Sequence, residues 1–145
     1  MSGRRPHPLG ETESGFTLIE LLVVMIVIGT LAGIAIPTLV SQRGKAHDTS
    51  TKADVSNVAK EVATYFVDGK GTLSLDFVTS PGRVVLGDGT WSTSVNLTNG
   101  TAAPTSGVSA NMGSDTAWCV ALTDPRGNVG EYRYSAVDGL AAGTC

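Results

Sequence analysis

Few side chains in this sequence have types and spacings that could do chemistry. The first is Glu20, the one charged residue in the run FTLIELLVVMIVIGTLAGIAIPTLV from Phe16 to Val40. A carboxylate inside so apolar a run is costly, and such residues ordinarily have a partner or a function. The second feature is a pair of cysteines, Cys119 and Cys145. An even count suggests one disulfide in an exported chain and nothing in particular in a cytosolic one. The third is a set of loop aspartates, Asp115, Asp124 and Asp138, which could ligate calcium if the fold gathered them. Isolated loop aspartates are usually solvated, however, so no metal or cofactor is expected.

A catalytic constellation is harder to assemble. Outside the first fifteen residues the only histidine is His47, so a Ser-His-Asp or Cys-His site has one candidate base and no partners at a meaningful spacing. No G-x-S-x-G, P-loop or dinucleotide fingerprint occurs, and no Cys/His pair has zinc spacing. An enzyme is not expected. The net charge of −3 and the singly scattered Lys and Arg residues offer no basic stripe, so specific nucleic-acid binding is not expected either. Asn96-Leu97-Thr98 and Asn99-Gly100-Thr101 match the N-glycosylation sequon and are read as chance.

The elements that must carry these residues divide the chain. Residues 1–15, MSGRRPHPLGETESG, are polar and contain Pro6 and Pro8, so they read as a leader outside the fold. The apolar run follows. Twenty-five residues of helix span about 37 Å at ~1.5 Å per residue, enough to cross the roughly 30 Å hydrocarbon core of a bilayer. A secretory h-region is shorter and lies within the piece removed, so this run is too long for one, and ordinary signal-peptide cleavage near Ala35 is the alternative that length alone leaves open. Arg4 and Arg5 favour a cytoplasmic N-terminus, but Glu11 and Glu13 neutralise them and Arg43 and Lys45 flank the other end, so charge alone does not orient the segment.

The ten residues Gly15-Phe16-Thr17-Leu18-Ile19-Glu20-Leu21-Leu22-Val23-Val24 resemble the processing site of type IV prepilins and the pseudopilins of type II secretion. The resemblance covers residues 15 to about 67 and includes Pro37. A second proline that many members carry about twenty residues later is absent, and Asn57 stands there. The resemblance implies that a membrane peptidase, which is also an N-methyltransferase, cuts between Gly15 and Phe16 and methylates the new amine. It further implies that Glu20 of an incoming subunit pairs with the Phe16 amine of a neighbour, because burial favours the paired charges over either one unpaired. The competing reading places Glu20 near enough to the helix start to reach the headgroups.

Gly29, Gly33 and Pro37 recur at four-residue intervals, and Pro37 cannot donate to the Gly33 carbonyl, so this stretch could loosen as a subunit leaves the bilayer. Gly29 and Gly33 also form a GxxxG spacing, a weak packing signal. After Pro37 the pattern becomes amphipathic. Val55, Val58, Ala59, Val62 and Phe66 mark one helix face, with Lys52, Asp54, Lys60 and Glu61 between them. The helix is expected to end at about Val67, before Asp68-Gly69-Lys70-Gly71.

The C-terminal half is rich in β-branched and turn residues. Leu73–Val78 alternates as a strand, Arg83–Leu86 and Trp91–Leu97 flank a Gly87–Thr90 turn, and Thr116–Thr123 pairs with Gly130–Val137 across Asp124–Asn128. In that second hairpin Trp118, Val120 and Leu122 share a side with Tyr132 and Tyr134, and Cys119 faces the other way. Thr98–Ser114 reads as an exposed loop and Gly139–Thr144 as a flexible tail. A Cys119–Cys145 bond would close a 26-residue loop, worth about 3.5 kcal/mol in the chain-entropy model. Two free thiols are the alternative. Export favours the bond, and many type IV pilins fasten their C-terminal region in this way.

The expected class is α+β. A cleaved leader (1–15) precedes one long helix (16–67, of which 16–40 is the membrane or filament-core part), which packs on a small antiparallel sheet in a β-rich head (68–145). By resemblance the function is that of a type IV pilus subunit. It would be a precursor in the bacterial cytoplasmic membrane and then a homopolymeric surface filament, with the peptidase and the pilus assembly machinery as partners. A pseudopilin of a secretion or DNA-uptake machine is the alternative within the family. An uncleaved, single-pass, membrane-anchored binding domain is the alternative outside it.

Overall fold

The computed structural model describes residues 15–68, 71–79, 82–104 and 109–145. The leader reading falls almost wholly outside these residues, as do Gly69 and Lys70 of the expected helix cap. The chain divides into two compact units, one ending at Thr38 and one comprising Leu39–Cys145. Helix α1 (Leu18–Asp68) contributes to both.

In the first unit α1 is apolar on every side, and its large side chains from Leu18 to Ile36 are exposed. By length and composition it is sufficient to cross a bilayer. Pro37 lies inside the helix without interrupting it, and the 29–37 stretch that the sequence marks as weak is helical throughout. Thr30 and Thr38 donate their hydroxyls to the Val27 and Ala35 carbonyls, as hydroxyls in an apolar helix must where no water is available.

In the second unit the helix turns one face inward. Val55, Val58, Ala59, Val62 and Tyr65 are buried, at i, i+3, i+4, i+7 and i+10. The sequence pattern puts Phe66 in the last place. In the structure Tyr65 takes it and Phe66 is only partly buried, because both rings fall at the edge of the same face and Tyr65 has a partner for its hydroxyl. Asp54, expected in solvent, is also buried.

Two antiparallel sheets replace the single one expected. The first comprises β1 (Ser74–Val78), β2 (Arg83–Gly87) and β3 (Ser92–Asn96) in that order. The second comprises β4 (Ser109–Ala110), β5 (Cys119–Thr123), β6 (Glu131–Ser135) and β7 (Gly139–Ala142), also in order. Val84 and Leu86 of β2 and Val120 and Leu122 of β5 form one core with the helix face. Leu122 pairs with Tyr132 and Val120 with Tyr134 across β5–β6, the side-sharing that alternation predicts.

Two expectations are corrected. Thr98–Ser114 is not simply an exposed loop. Thr101 and Met112 are buried, Ala102 bridges Thr123, and β4 pairs with β5. The segment Gly139–Thr144 is not a free tail, since Gly139–Ala142 form β7 on the open edge of β6. Gly139 makes the reversal at φ 70°, a conformation that costs a residue without Cβ little. Cys119 and Cys145 are bonded, so the strand and the bond hold the C-terminus together.

Candidate functional site

Of the residues expected to serve processing and assembly, Gly15, Phe16 and Glu20 lie at the start of α1 and Pro37 lies inside it. Gly15, Phe16 and Thr17 precede the helix in irregular backbone, and Phe16 is 84 % exposed. Among the described residues, no atom outside its chain neighbours lies within 4 Å of a Cβ built on Gly15.

Glu20 has a local role that the sequence reading missed. The Thr17 hydroxyl oxygen accepts from the Glu20 backbone N–H at 3.2 Å, and the same hydroxyl lies 3.4 Å from Glu20 Oε2, to which it donates. Thr17-x-x-Glu20 is a capping-box sequence: Thr17 caps the helix through the Glu20 N–H, and the glutamate meets the Thr17 hydroxyl. The signal, Thr17-Leu18-Ile19-Glu20, was present in the sequence. Negative charge in the first turn is also favourable against the helix dipole.

The remaining carboxylates serve the second unit. Asp48 accepts from the backbone N–H groups of Asn128, Val129 and Gly130, each at 3.2 Å. Gly127 lies directly over it, and a Cβ there would fall 2.3 Å from Asp48 Oδ1. Asp54 accepts from the Thr98 N–H (2.8 Å), the Thr98 hydroxyl (3.1 Å) and the Thr101 hydroxyl (2.8 Å). Both sequon threonines are thus engaged with α1.

Asp124 is fully buried, 2.8 Å from Arg126 Nη2 and 3.3 Å from His47 Nδ1. Arg126 also donates to the Asn99 carbonyl, linking the β5–β6 turn to the segment after β3. Asp124 was a calcium candidate with Asp115 and Asp138. It is committed to Arg126 and His47, Asp138 lies 3.8 Å from Arg133, and among the described residues no three His, Cys, Asp or Glu side chains converge.

Hydrogen bonding from Arg126 holds the Asp124 carboxyl below the usual carboxylate range, against the opposing effect of burial, and Asp124 in turn raises Arg126. Asp88 is held lower still by the Trp91 and Thr90 backbone N–H groups and the Thr90 hydroxyl. Burial and its hydrogen bond to Asp88 (3.0 Å) push Tyr65 up.

Depressed folded-state values mean that these two aspartates contribute stability above the ordinary carboxylate range of about 3.9 and lose it as the pH falls through the folded values. The thermal midpoint of the detergent-solubilised protein should be level from pH 8 to about 5 and fall below about 4. Asp124→Asn should remove part of that fall. Near-UV circular dichroism across the pH series checks both.

Comparison with known proteins adds matches of two kinds, to a family model and to individual relatives. Residues 12–36 match the family model described as the prokaryotic N-terminal methylation motif. The type IV narrow pilus major component of Thermus thermophilus is 35% identical over 104 residues, which is 70% of this chain and 82% of that protein. The type IV wide pilus major component of the same organism is 40% identical over 60 residues, 41% of this chain and 46% of that one. The type II secretion system core protein G of Pseudomonas aeruginosa is 38% identical over 56 residues, covering 39% of each. The chain therefore spans less than half of the last two relatives. No solved structure matches.

Proposed function

The chain belongs to the type IV pilin family, and from that premise we propose that it is a structural subunit of a type IV pilus, cut after Gly15 and polymerised through residues 16–40. One observation carries the reading. The Phe16–Val40 segment, helical from Leu18, has its large apolar side chains exposed among the described residues, and it holds one carboxylate. A surface of that kind must be covered by lipid or by other helices. The precursor would sit in the cytoplasmic membrane, and copies of the same helix would replace lipid in the filament.

On this reading the peptidase supplies the trigger. Cleavage creates an amine at Phe16, and Glu20 of a neighbour receives it. Pro37, which leaves the Gly33 carbonyl without its helical donor, gives the helix a place to yield on transfer. No catalytic role is proposed, since the relatives named are components of pili and of a secretion system. The pseudopilin reading is favoured by one observation, the 38% identity to core protein G over 56 residues, 39% of this chain. The match to the narrow-pilus component covers 70% of the chain, and the pilus reading is preferred for that reason.

Filaments sheared from cells and analysed by mass spectrometry should contain subunits beginning at Phe16 with one added methyl group. A subunit beginning near Ile36, or retaining residues 1–15, would overturn the reading. Gly15→Leu should leave a membrane-bound precursor and no filament.

A further inference from the structure

Strand β5 runs along α1 against the direction of the helix, back toward the apolar run. Trp118, just before β5, lies beside Ala59, Ala63 and Phe66. Asp124, just after it, meets His47 at 3.3 Å. Asn128, further round the β5–β6 turn, packs on Gly44 so closely that a Cβ there would collide with its side chain. Leu39 and Val40, the last apolar residues of the run, belong to this same unit and are exposed. At ~1.5 Å per residue, Gly44 lies about 6 Å beyond Val40 along the helix. The polar layer flanking a bilayer core is roughly 5–8 Å deep on each side. Gly44, and the turn packed on it, therefore fall at headgroup level when the run spans a bilayer.

The turn's backbone suits a place short of water. Pro125 has no N–H, and every N–H from Arg126 to Gly130 is bonded within the protein. Arg126 donates to the Asp124 carboxylate at 3.0 Å and Gly127 to the Asp124 carbonyl at 3.0 Å. Asn128, Val129 and Gly130 donate to Asp48. An exposed turn can leave such donors to water, whereas one that meets lipid must satisfy them itself. The apolar side chain this turn presents outward is Val129, 56% exposed. The charges around it are sorted in the same sense. Asp48 and Asp124 are buried under their donors, Arg126 is taken up by Asp124 and the Asn99 carbonyl, and Glu131 is half-buried at the start of β6. Arg43 and Lys45 are exposed, and neither has an ion-pair partner among the described residues.

We propose that this end of the second unit rests on an anionic lipid surface, with Val129 seated among the headgroups and Arg43 and Lys45 on lipid phosphates. An apolar residue flanked by unpaired basic ones is the pattern by which a protein holds to a membrane interface. The turn is already fixed by Asp48 and Asp124, so it loses little entropy on docking. The contact holds the head against the bilayer beside its own helix, and it is lost when a subunit leaves the membrane. The inference rests on the membrane reading of residues 16–40 and adds to it a contact outside that segment.

The test uses the full-length chain in vesicles of phosphatidylcholine and phosphatidylglycerol, with insertion read separately by flotation after alkaline carbonate. Val129→Cys, labelled with a nitrobenzoxadiazole dye while Cys119 and Cys145 stay bonded, should lose most of its fluorescence to lipids carrying a nitroxide on the headgroup. The same label at Val137→Cys should lose little, because Val137 follows Ala136, which lies beside Lys60 and Ala63, far along α1 from Gly44. Arg43→Gln with Lys45→Gln should insert as the wild type does but show weaker quenching at Val129 in these vesicles. Raising the salt should weaken the wild-type quenching in the same way. An inserted chain whose Val129 label is quenched no more than its Val137 label would overturn the contact while leaving the membrane reading intact. Undiminished quenching in the double variant would overturn the role given to Arg43 and Lys45. A chain that does not float with the vesicles would remove the membrane reading, and the contact with it.

Discussion

Glu20→Gln should be processed and inserted normally and yet assemble almost no filament. The capping geometry makes this substitution unusually clean. A capping box accepts glutamine as well as glutamate, so the first turn and its bond to Thr17 survive the change. What is lost is the charge. If each Phe16 amine is buried against a neighbour's Glu20, the variant leaves an unpaired cation in an apolar core, at a cost of roughly 3–5 kcal/mol per subunit. Repeated at every subunit, that exceeds what the fibre can tolerate. Electron microscopy of sheared material, with immunoblots separating precursor from mature subunit, reads both halves of the expectation. Glu20→Ala gives the contrast, because it loses the side-chain bond to Thr17 and the charge together while the backbone cap remains. Wild-type amounts of filament from Glu20→Gln would confine Glu20 to its role within its own helix.

The second large effect is expected at Asp54, far from the processing site. Its carboxylate, 5% exposed, receives three hydrogen bonds from Thr98 and Thr101, and Thr101 is itself buried. Removing the acceptor leaves a backbone N–H and a buried hydroxyl without a partner, and bonds to a charged group are worth about 1.5–3 kcal/mol each. Asp54→Ala should therefore destabilise the second unit by about 3 kcal/mol, a large fraction of the ~5–15 kcal/mol of a typical domain. Asp54→Asn, which keeps one acceptor oxygen, should cost less. Urea titration of solubilised subunit, followed by tryptophan fluorescence, measures both. Because the lost bonds lie between α1 and the segment after β3, membrane insertion and cleavage should be unaffected. An Asp54→Ala protein with an unchanged urea midpoint would show that water replaces the carboxylate without penalty.

Much of this protein is local, and local features are legible in a sequence. An uninterrupted apolar run determines a helix whatever surrounds it, because its backbone bonds close within the segment and its length alone matches a bilayer. The change to an i, i+3, i+4, i+7 pattern at Val55 determined which face would meet the sheets. Alternation in Trp118–Leu122 placed Cys119 on the opposite side from the core. Even the capping box at Thr17–Glu20 was written in four adjacent residues.

What only the tertiary structure decided depends on partners distant in the chain. Strand β7, Gly-Leu-Ala-Ala, carries almost no intrinsic strand signal. It forms because β6 presents an open edge at the right register and Gly139 can make the reversal. Strand β4 is likewise defined by β5. Asp54 read as a charge beside the apolar helix face, Asp124 as a loop aspartate, and nothing singled out Asp48, since helix periodicity and turn composition say nothing of what will be packed against them. Their burial follows from donors 80, 44 and 2 residues away. A buried carboxylate is stable only where such donors meet it, and that meeting is a property of the folded chain.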